Sequence, residues 1–341
     1  MLGCLTFGLA PRHTAHANPT PKDLPMTVAA RVKPDAFFTD DQWATLSSKS
    51  GWRGVLLVLH CWVVIGLAMA VGVAWPWAIP LMVMVIGNRQ LGLFILMHDA
   101  AHGLLHPNRT VNDRIARWFC GHELVAYRPY HLQHHRFVQQ SEDPDLVLSA
   151  PFPISRVSLR RKRIRDLTGQ TFFKQRFGVL QGQLKARAPG ASGWPLVLAE
   201  ARNQRVFLLT NAAGLAVFSA AGLAWAWALM WLLPMATWLP LVSRLRNIAE
   251  HALIMPNSVD PLRHARTTRA SLLERMLIAP YWVNYHGEHH MFTQIPCWNL
   301  PKAHRLLAVS GATARMEVQS GYARVLQLAT RQQLPRLRGP S

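Results

Sequence analysis

The chain has 341 residues, half of them hydrophobic and 16% charged, with a formal charge of +20. This balance fits a membrane protein with sizeable aqueous parts better than a plain soluble domain. No zinc finger, RNA-binding signature or heptad-backed basic region accompanies the charge, so nucleic acid is excluded as a partner and the basic surface is read as lying beside a membrane. Thirty of the 37 basic residues are Arg, which suggests a bacterial source.

Residues 1–50 form an N-terminal segment that the sequence places in the cytoplasm and reads as partly disordered. Its apolar stretch, Leu2 to Ala10, has no basic residues before it and makes a poor signal peptide, and either Met1 or Met26 can serve as the start. Cys4, Cys61, Cys120 and Cys297 lie far apart with no C-x-x-C, so they read as separate reduced thiols.

Two apolar regions follow. Residues 54–97, broken near Pro76, hold spans at about 54–74 and 76–97; residues 206–242 hold two shorter ones at about 206–224 and 226–243. Each pair is read as a helical hairpin with an uncharged turn on the far side. Segment 98–205 carries 17 basic against 8 acidic residues, and 244–341 carries 13 against 5. The positive-inside tendency puts both in the cytoplasm. Segment 156–190 is expected as a loop or a surface helix on the membrane, and the last 25 or so residues as poorly ordered. The predicted architecture is an all-α integral membrane protein. Four spans in two hairpins carry a cytoplasmic helical cap, with a membrane domain over 51–305 and a tail over 306–341.

The chemistry lies in the histidines. Of sixteen, eight fall in three boxes: His98-x-x-x-His102, His131-x-x-His134-His135 and His286-x-x-His289-His290. Residues three and four apart share a helix face, so each box aims two or three imidazoles at one point. Imidazole ligates iron, copper, zinc and nickel. All three boxes fall on the predicted cytoplasmic side. Asn247 and His251, at i and i+4 past the last span, can point to the same centre. A set of nine imidazoles exceeds the six positions of one octahedral ion and so implies two metals. Asp99, Glu250 and Glu288 are candidates to hold the outer ring nitrogens. His106 and His122 remain unassigned, and His122-Glu123 does not extend to H-E-x-x-H because position 126 is Ala. The Ser141-Glu142-Asp143-Pro144-Asp145 stretch reads as a helix-ending turn able to orient the second box.

The three boxes, their order between two hairpins, and the flanking Asn284-Tyr285-His286-Gly287-Glu288-His289-His290, Ile295-Pro296 and Asn299-Leu300-Pro301-Lys302-Ala303-His304 resemble the membrane fatty acid desaturase and hydroxylase superfamily over roughly 50–305. The resemblance implies a non-haem di-iron site. Its ligands would be His98, His102, His131, His134, His135, His251, His286, His289 and His290, with Asn247 reaching a metal through water.

The resemblance also implies O2 as co-substrate and removal of hydrogen from an unactivated C–H bond. The three residues inside the first box match acyl-lipid and bacterial members rather than acyl-CoA ones. An acyl lipid is therefore the expected substrate, and the N-x-P-x-x-H run after the third box favours desaturation. Alternatives within the superfamily are a hydroxylase or ketolase acting on a carotenoid or alkane, and a desaturase of a small non-acyl metabolite. Outside it stands a metal-binding membrane protein without redox chemistry. No C-x-x-C, flavin fingerprint or H-P-G-G occurs, so a separate ferredoxin-type or cytochrome b-type donor is implied. The expected location is a bacterial inner membrane, with the termini and metal site cytoplasmic.

Overall fold

An apolar run closed by Pro76 makes the first hairpin. In the computed structural model, which describes residues 29, 31–120, 124–149, 151–188, 190–255 and 260–330, helix α1 (Asp40–Ser47) precedes α2 (Arg53–Ala74) and α3 (Ile79–Ala101). The last two are 22 and 23 residues long, about 33 Å each, enough to cross a hydrocarbon core of about 30 Å. The two helices differ in burial. Helix α2 leaves Val55, Leu56, Leu59, Val63 and Leu67 exposed, as a lipid-facing surface requires, while α3 is buried without a break from Ile86 to Ala101. Helix α3 is thus the central post. Small residues set the close crossings around it: a Cβ at Gly54 would stand 2.0 Å from the Leu105 carbonyl, and one at Gly87 would stand 2.8 Å from Trp238.

The residues after α3 build a cluster of helices at its His98 end: α4 (Arg109–Phe119), α5 (Leu124–Arg136), α6 (Leu146–Ser149), α7 (Arg156–Leu167), α8 (Gln170–Ala186) and α9 (Trp194–Asn203). The segment expected as a loop or surface helix is therefore two helices. Ser155 caps α7, its Oγ accepting from the Ser158 amide, and Gly169 takes the left-handed turn (φ +77) into α8. Buried Asp166 holds the pair against the membrane domain by accepting from Arg244 Nε and Nη2 at 2.6 and 2.8 Å.

The second hairpin departs from the prediction. Helix α10 (Arg205–Ala220) has 16 residues, about 24 Å, cut off by a break at Gln204 and by Gly222 at φ +71. It falls short of the length of a span. Beyond it, α11 (Ala224–Trp227), a π-helical turn (Ala228–Leu232), α12 (Leu233–Ala236) and α13 (Trp238–His251) run on as one long element. Among the described residues three helices, Arg53–Ala74, Pro76–Ala101 and Ala224–His251, are long and apolar enough to cross a membrane, with Arg205–Ala220 a shorter apolar helix beside them, and this is a mostly helical membrane protein. The last span also continues past 243 to His251. Its arginines are neutralised in place, Arg244 by Asp166 and buried Arg246 by Glu250, so the helix need not end where the apolar run ends.

After α13 come a three-residue strand β1 (Arg266–Thr268), α14 (Leu272–Leu277), α15 (His286–Met291), α16 (Leu300–Val309), strand β2 (Glu317–Gln319) and α17 (Tyr322–Ala329). β1 and β2 pair in parallel, the one departure from an all-α fold among the described residues. The tail is not loose over its described part. Leu307, Tyr322, Val325 and Ala329 are buried, and α17 packs against α13. At the other end Phe38 meets Phe292 at 5.0 Å between centroids, and Asn299 donates to the Leu46 carbonyl at 2.9 Å, which brings the segment before residue 50 into the core. The question of Met1 against Met26 lies outside the described residues.

Gly54→Ala tests the close crossing of α2 on the loop after His102. Despite a helix-propensity gain of about 1 kcal/mol, the clash is expected to cost about 1–3 kcal/mol in denaturant unfolding of the detergent-solubilised chain. Gly66→Ala on the same helix, with nothing within 4 Å of its Cβ, is the control and should be neutral or stabilising.

Candidate metal centre

Four elements converge where α3 and α13 end. Helix α3 brings His98 on its last turn and His102 at its C-cap; α5 brings His131, His134 and His135; α13 ends on His251; α15 brings His286, His289 and His290. Their ligand atoms sort into two groups, each with all members within 4.8 Å of one another. One holds His98, His102, His131, His135 and His289, and the other holds His134, His251, His286 and His290. All nine histidines expected from the sequence are present, and no described carboxylate or cysteine joins either group.

The H-x-x-H-H spacing explains the partition. In each of α5 and α15 the i and i+4 residues serve one group and the i+3 residue serves the other. One helix face is about an imidazole wide, so a residue at i+3 falls on the opposite side of the seam from the pair at i and i+4. The two helices use this in opposite senses: α5 gives two rings to the first group and one to the second, and α15 does the reverse. The groups touch, with the His135 and His290 rings stacked at 4.2 Å.

The nitrogens meet as ligands around cations do. His131 Nε2 lies 2.9 Å from His102 Nε2 and 3.0 Å from His135 Nε2. His286 Nε2 lies 2.9 Å from His251 Nε2 and 3.1 Å from His290 Nε2. A ring nitrogen carries one hydrogen or one lone pair, so a single nitrogen cannot satisfy two such neighbours by linear hydrogen bonds. Both nitrogens of buried His98 lack a hydrogen-bond partner among the described residues. Protonation is no remedy. Burial first, and neighbouring cationic side chains second, bring His102 down to about 3. Burial and the adjacent imidazoles hold His131, His135, His286, His289 and His290 well below the usual imidazole range. Neutral imidazoles with lone pairs aimed at two points fit a pair of metal ions.

Carboxylates stand behind the rings. His134 Nδ1 donates to Asp143 Oδ1 at 2.8 Å, with Asp145 at 3.9 Å. Burial opposes protonation of His134, but the hydrogen bond and charge of Asp143 raise its pKa. Asp143 is itself fixed, accepting from the Gln139 and Asp145 amides at 2.9 and 2.8 Å. The Ser141–Asp145 turn therefore orients the second box, as its sequence allowed. Asp99 stands 3.5 Å from His98 Nδ1 and accepts from the Cys297 amide; Glu250, expected at an outer ring nitrogen, instead has Oε2 3.5 Å from His286 Nε2, the nitrogen that faces the other rings of its group, while it pairs with Arg246.

Glu288 behaves otherwise. It accepts from Thr267 Oγ1 and from His304 Nδ1, tying α15 to β1 and α16 instead of holding a box histidine. The sequence offered no sign of that pairing beyond the N-x-P-x-x-H run that ends in His304. It likewise gave no sign of Tyr127, stacked 5.3 Å from His131. Buried Asn247 lies one turn before His251 on the wall of a small cavity shared with Lys162 and Arg244. His106 accepts from the Asn108 amide and stays outside both groups, and His122 lies outside the described residues. A cleft of about 60 Å³ lined by Arg31, His264 and Gln294 reaches the rings of His135 and His290.

Residues 74–319 match the fatty acid desaturase family. The chain belongs to that family. As a desaturase-family member it is an oxidoreductase. It is 27% identical over 271 residues to a dihydrorhizobitoxine desaturase of Bradyrhizobium elkanii, covering 74% of this chain and 71% of that protein. It is similar also to two proteins named beta-carotene ketolase. One, from Paracoccus sp. strain PC1, is 24% identical over 233 residues (63% and 75% of the two chains); the other, from strain N81106, is 26% identical over 228 residues (62% and 73%).

Asp143→Asn removes the charge behind His134 while keeping the shape. It should weaken metal binding by about 10–100-fold in a competitive chelator titration. Glu142→Gln, one residue away and hydrogen-bonded only to Ser141 through its side chain, should leave the affinity unchanged.

Proposed function

We propose that the chain is an O2-dependent di-iron desaturase whose nine box and post-span histidines hold the two irons. The observation that carries this is the division of nine imidazoles into two adjoining groups. Five and four ligands leave open positions on both ions of a pair, which chemistry on dioxygen requires. Iron, rather than zinc or copper, is favoured by the family. When bound, such a pair supplies reduction of dioxygen coupled to C–H cleavage. The balance is R–CH2–CH2–R′ + O2 + 2e⁻ + 2H⁺ → R–CH=CH–R′ + 2H2O. The protein residues hold the geometry: Asp143 and Asp99 stand against the Nδ1 atoms of His134 and His98, Glu250 lies beside His286 Nε2, and Asn247, one turn before His251, would reach a metal through a water. Burial of six of the nine rings limits the access of bulk water to the reacting carbon.

The substrate reading moves from an acyl lipid toward a small non-acyl metabolite. The name of the Bradyrhizobium relative supports this, and so does the room available. The mainly apolar cavity beneath the site, open on one side, offers about 130 Å³, close to an engineered cavity of about 150 Å³ that holds one benzene. A chain of sixteen or eighteen carbons needs several times that. Oxygen insertion is the second reading, favoured by the two ketolase relatives.

The electrons come from a separate ferredoxin-type or cytochrome b-type donor. The Arg-rich α7 and the Arg31 rim beside His135 and His290 offer such an acidic protein a cationic approach. The same charge bias puts the metal end of the spans in the cytoplasm of a bacterial inner membrane.

Two measurements test these readings. Co-expressed with a redox partner, the chain should yield a product two mass units lighter than its precursor and should copurify with about two irons, whereas His134→Ala and His289→Ala, one from each group, should each lose product entirely. A product fourteen or sixteen units heavier transfers the assignment to ketolation or hydroxylation, and absence of iron rejects the di-iron reading. With a ferredoxin-type donor, raising ionic strength from about 50 to 200 mM should raise the KM for the donor several-fold and leave kcat in place; a salt-independent KM rejects electrostatic docking.

A further inference from the structure

The cavity beneath the metal centre is not wholly apolar. Its walls are mainly Leu91, Phe94, Trp118, Phe172, Phe207 and Trp231, yet polar side chains also line it: Thr210, Asn211 and Ser243, and, with unmet polar atoms, Gln90 from α3 and Gln175 and Arg176 from α8. Arg176 is only 8% exposed. Its guanidinium lies 3.8 Å from the centroid of Phe207 and 5.7 Å from that of Phe172. Its side chain donates one long hydrogen bond, Nη1 to Gln204 Oε1 at 3.3 Å, and its Nε has no partner among the described residues. The carboxylate of Glu200 is one step removed, accepting from Gln204. Burial lowers the arginine to about 10, with Glu200 opposing, so it remains charged at neutral pH.

The two glutamines present the opposite need. Gln90 Nε2 donates to the Trp231 carbonyl at 2.8 Å, but its Oε1, like Gln175 Oε1, is buried without a partner. Each buried polar atom left unpaired costs about 1–3 kcal/mol, more when charged. A charged donor and two amide acceptors around one apolar space are therefore an unmet hydrogen-bond pattern. A hydrocarbon alone does not meet it. A carboxylate meets the guanidinium in planar, charge-assisted fashion, and a hydroxyl or ammonium beside it meets the amides.

The placement relative to the metals is fixed by two helices. Phe94 is one turn before His98 on α3, and Ser243, also on the wall, is two turns before His251 on α13. That is about 6 Å and 12 Å of helix axis, the reach of a few carbon–carbon bonds.

We propose that Arg176 anchors the carboxylate of a small carboxylic-acid substrate whose apolar body, about six carbons in size, lies in this cavity. The inference rests on the desaturase reading for the role of the ligand as substrate, but binding itself requires neither metal nor turnover. Arg176 is thereby a specificity-determining residue, and the two glutamines select a carboxylate that carries a neighbouring hydrogen-bond donor.

Trp62, Trp118, Trp227 and Trp231 line the cavity and report its occupancy. The full chain in lipid nanodiscs is titrated with 6-bromohexanoate and with 6-bromohexan-1-ol, bromine serving as a contact quencher of indole fluorescence, and empty nanodiscs correct for partitioning. The acid should quench saturably and bind at least about tenfold more tightly than the alcohol. Arg176→Gln should abolish that preference and change alcohol binding less than about twofold, and Arg176→Lys, which keeps the charge without the planar fork, should retain part of it. Equal binding of acid and alcohol to the unaltered chain overturns the proposal without reference to any variant. So does absence of saturable quenching, or a preference that survives Arg176→Gln. If the acid preference fails while desaturated product still forms, the anchor alone is lost; an intact acid preference in a chain that makes no product upholds the anchor and removes the desaturase reading instead.

Discussion

Nine imidazoles packed into one buried volume are the constraint on which the fold turns. Each ring has two polar nitrogens, and a cluster with six rings buried and three half-buried gives them little water. Several rings aim nitrogen at nitrogen, an arrangement that neutral rings cannot satisfy among themselves and that burial forbids them to relieve by protonation. Cations at the two points of convergence remove the conflict, because lone pairs then face positive charge. Folding of this end of the molecule and loading of metal are therefore linked processes.

The rest of the architecture supplies rigid arms to that cluster. Helix α3 is buried from Ile86 onward and delivers His98 and His102 with little freedom. Helix α13 reaches the same plane only because the arginines of its last turns are neutralised by Asp166 and Glu250. A span ending at the limit of its apolar run would have left Asn247 and His251 on a loop. The polar ties beyond these helices serve the same end. Asp143 fixes a ring of α5, and the Glu288 contacts to Thr267 and His304 fix α15 from behind. Strands β1 and β2, three residues each, matter for the same reason: they hold the far side of α15 in register with the tail.

What was legible in the sequence follows the strength of local signals. The nine histidines were legible because their spacing matches a helix face and because so many in one chain demand a common purpose. The first hairpin was legible from hydropathy and Pro76. The second was less so, since an apolar run does not reveal that Gln204 and Gly222 cut α10 to 16 residues, nor that α13 runs on through Arg244 and Arg246. Segment 156–190 was legible only as a loop or surface helix, and the helix at 322–329 was missed, because their anchoring depends on partners far away in the chain, Asp166 on Arg244 and α17 on α13. Glu288 shows the limit of proximity in sequence. It sits inside the third box, yet a carboxylate on the face opposite three ligating rings points away from the centre they share.

The division of labour along α3 and α13 explains how one scaffold can direct chemistry to a chosen carbon. Ligands and cavity wall lie on the same two helices, one or two turns apart, so the distance from wall to metal is set by helical rise and not by a loop. A substrate held at one end by a fixed charge then presents a fixed carbon to the cluster, and lengthening or shortening its body by one methylene shifts that carbon by over an ångström. Changing the substrate in such a scaffold needs no alteration of the histidines. It needs a different residue at the far end of the cavity, on a helix such as α8 that makes no metal contact and is free to vary while the nine ligands are not.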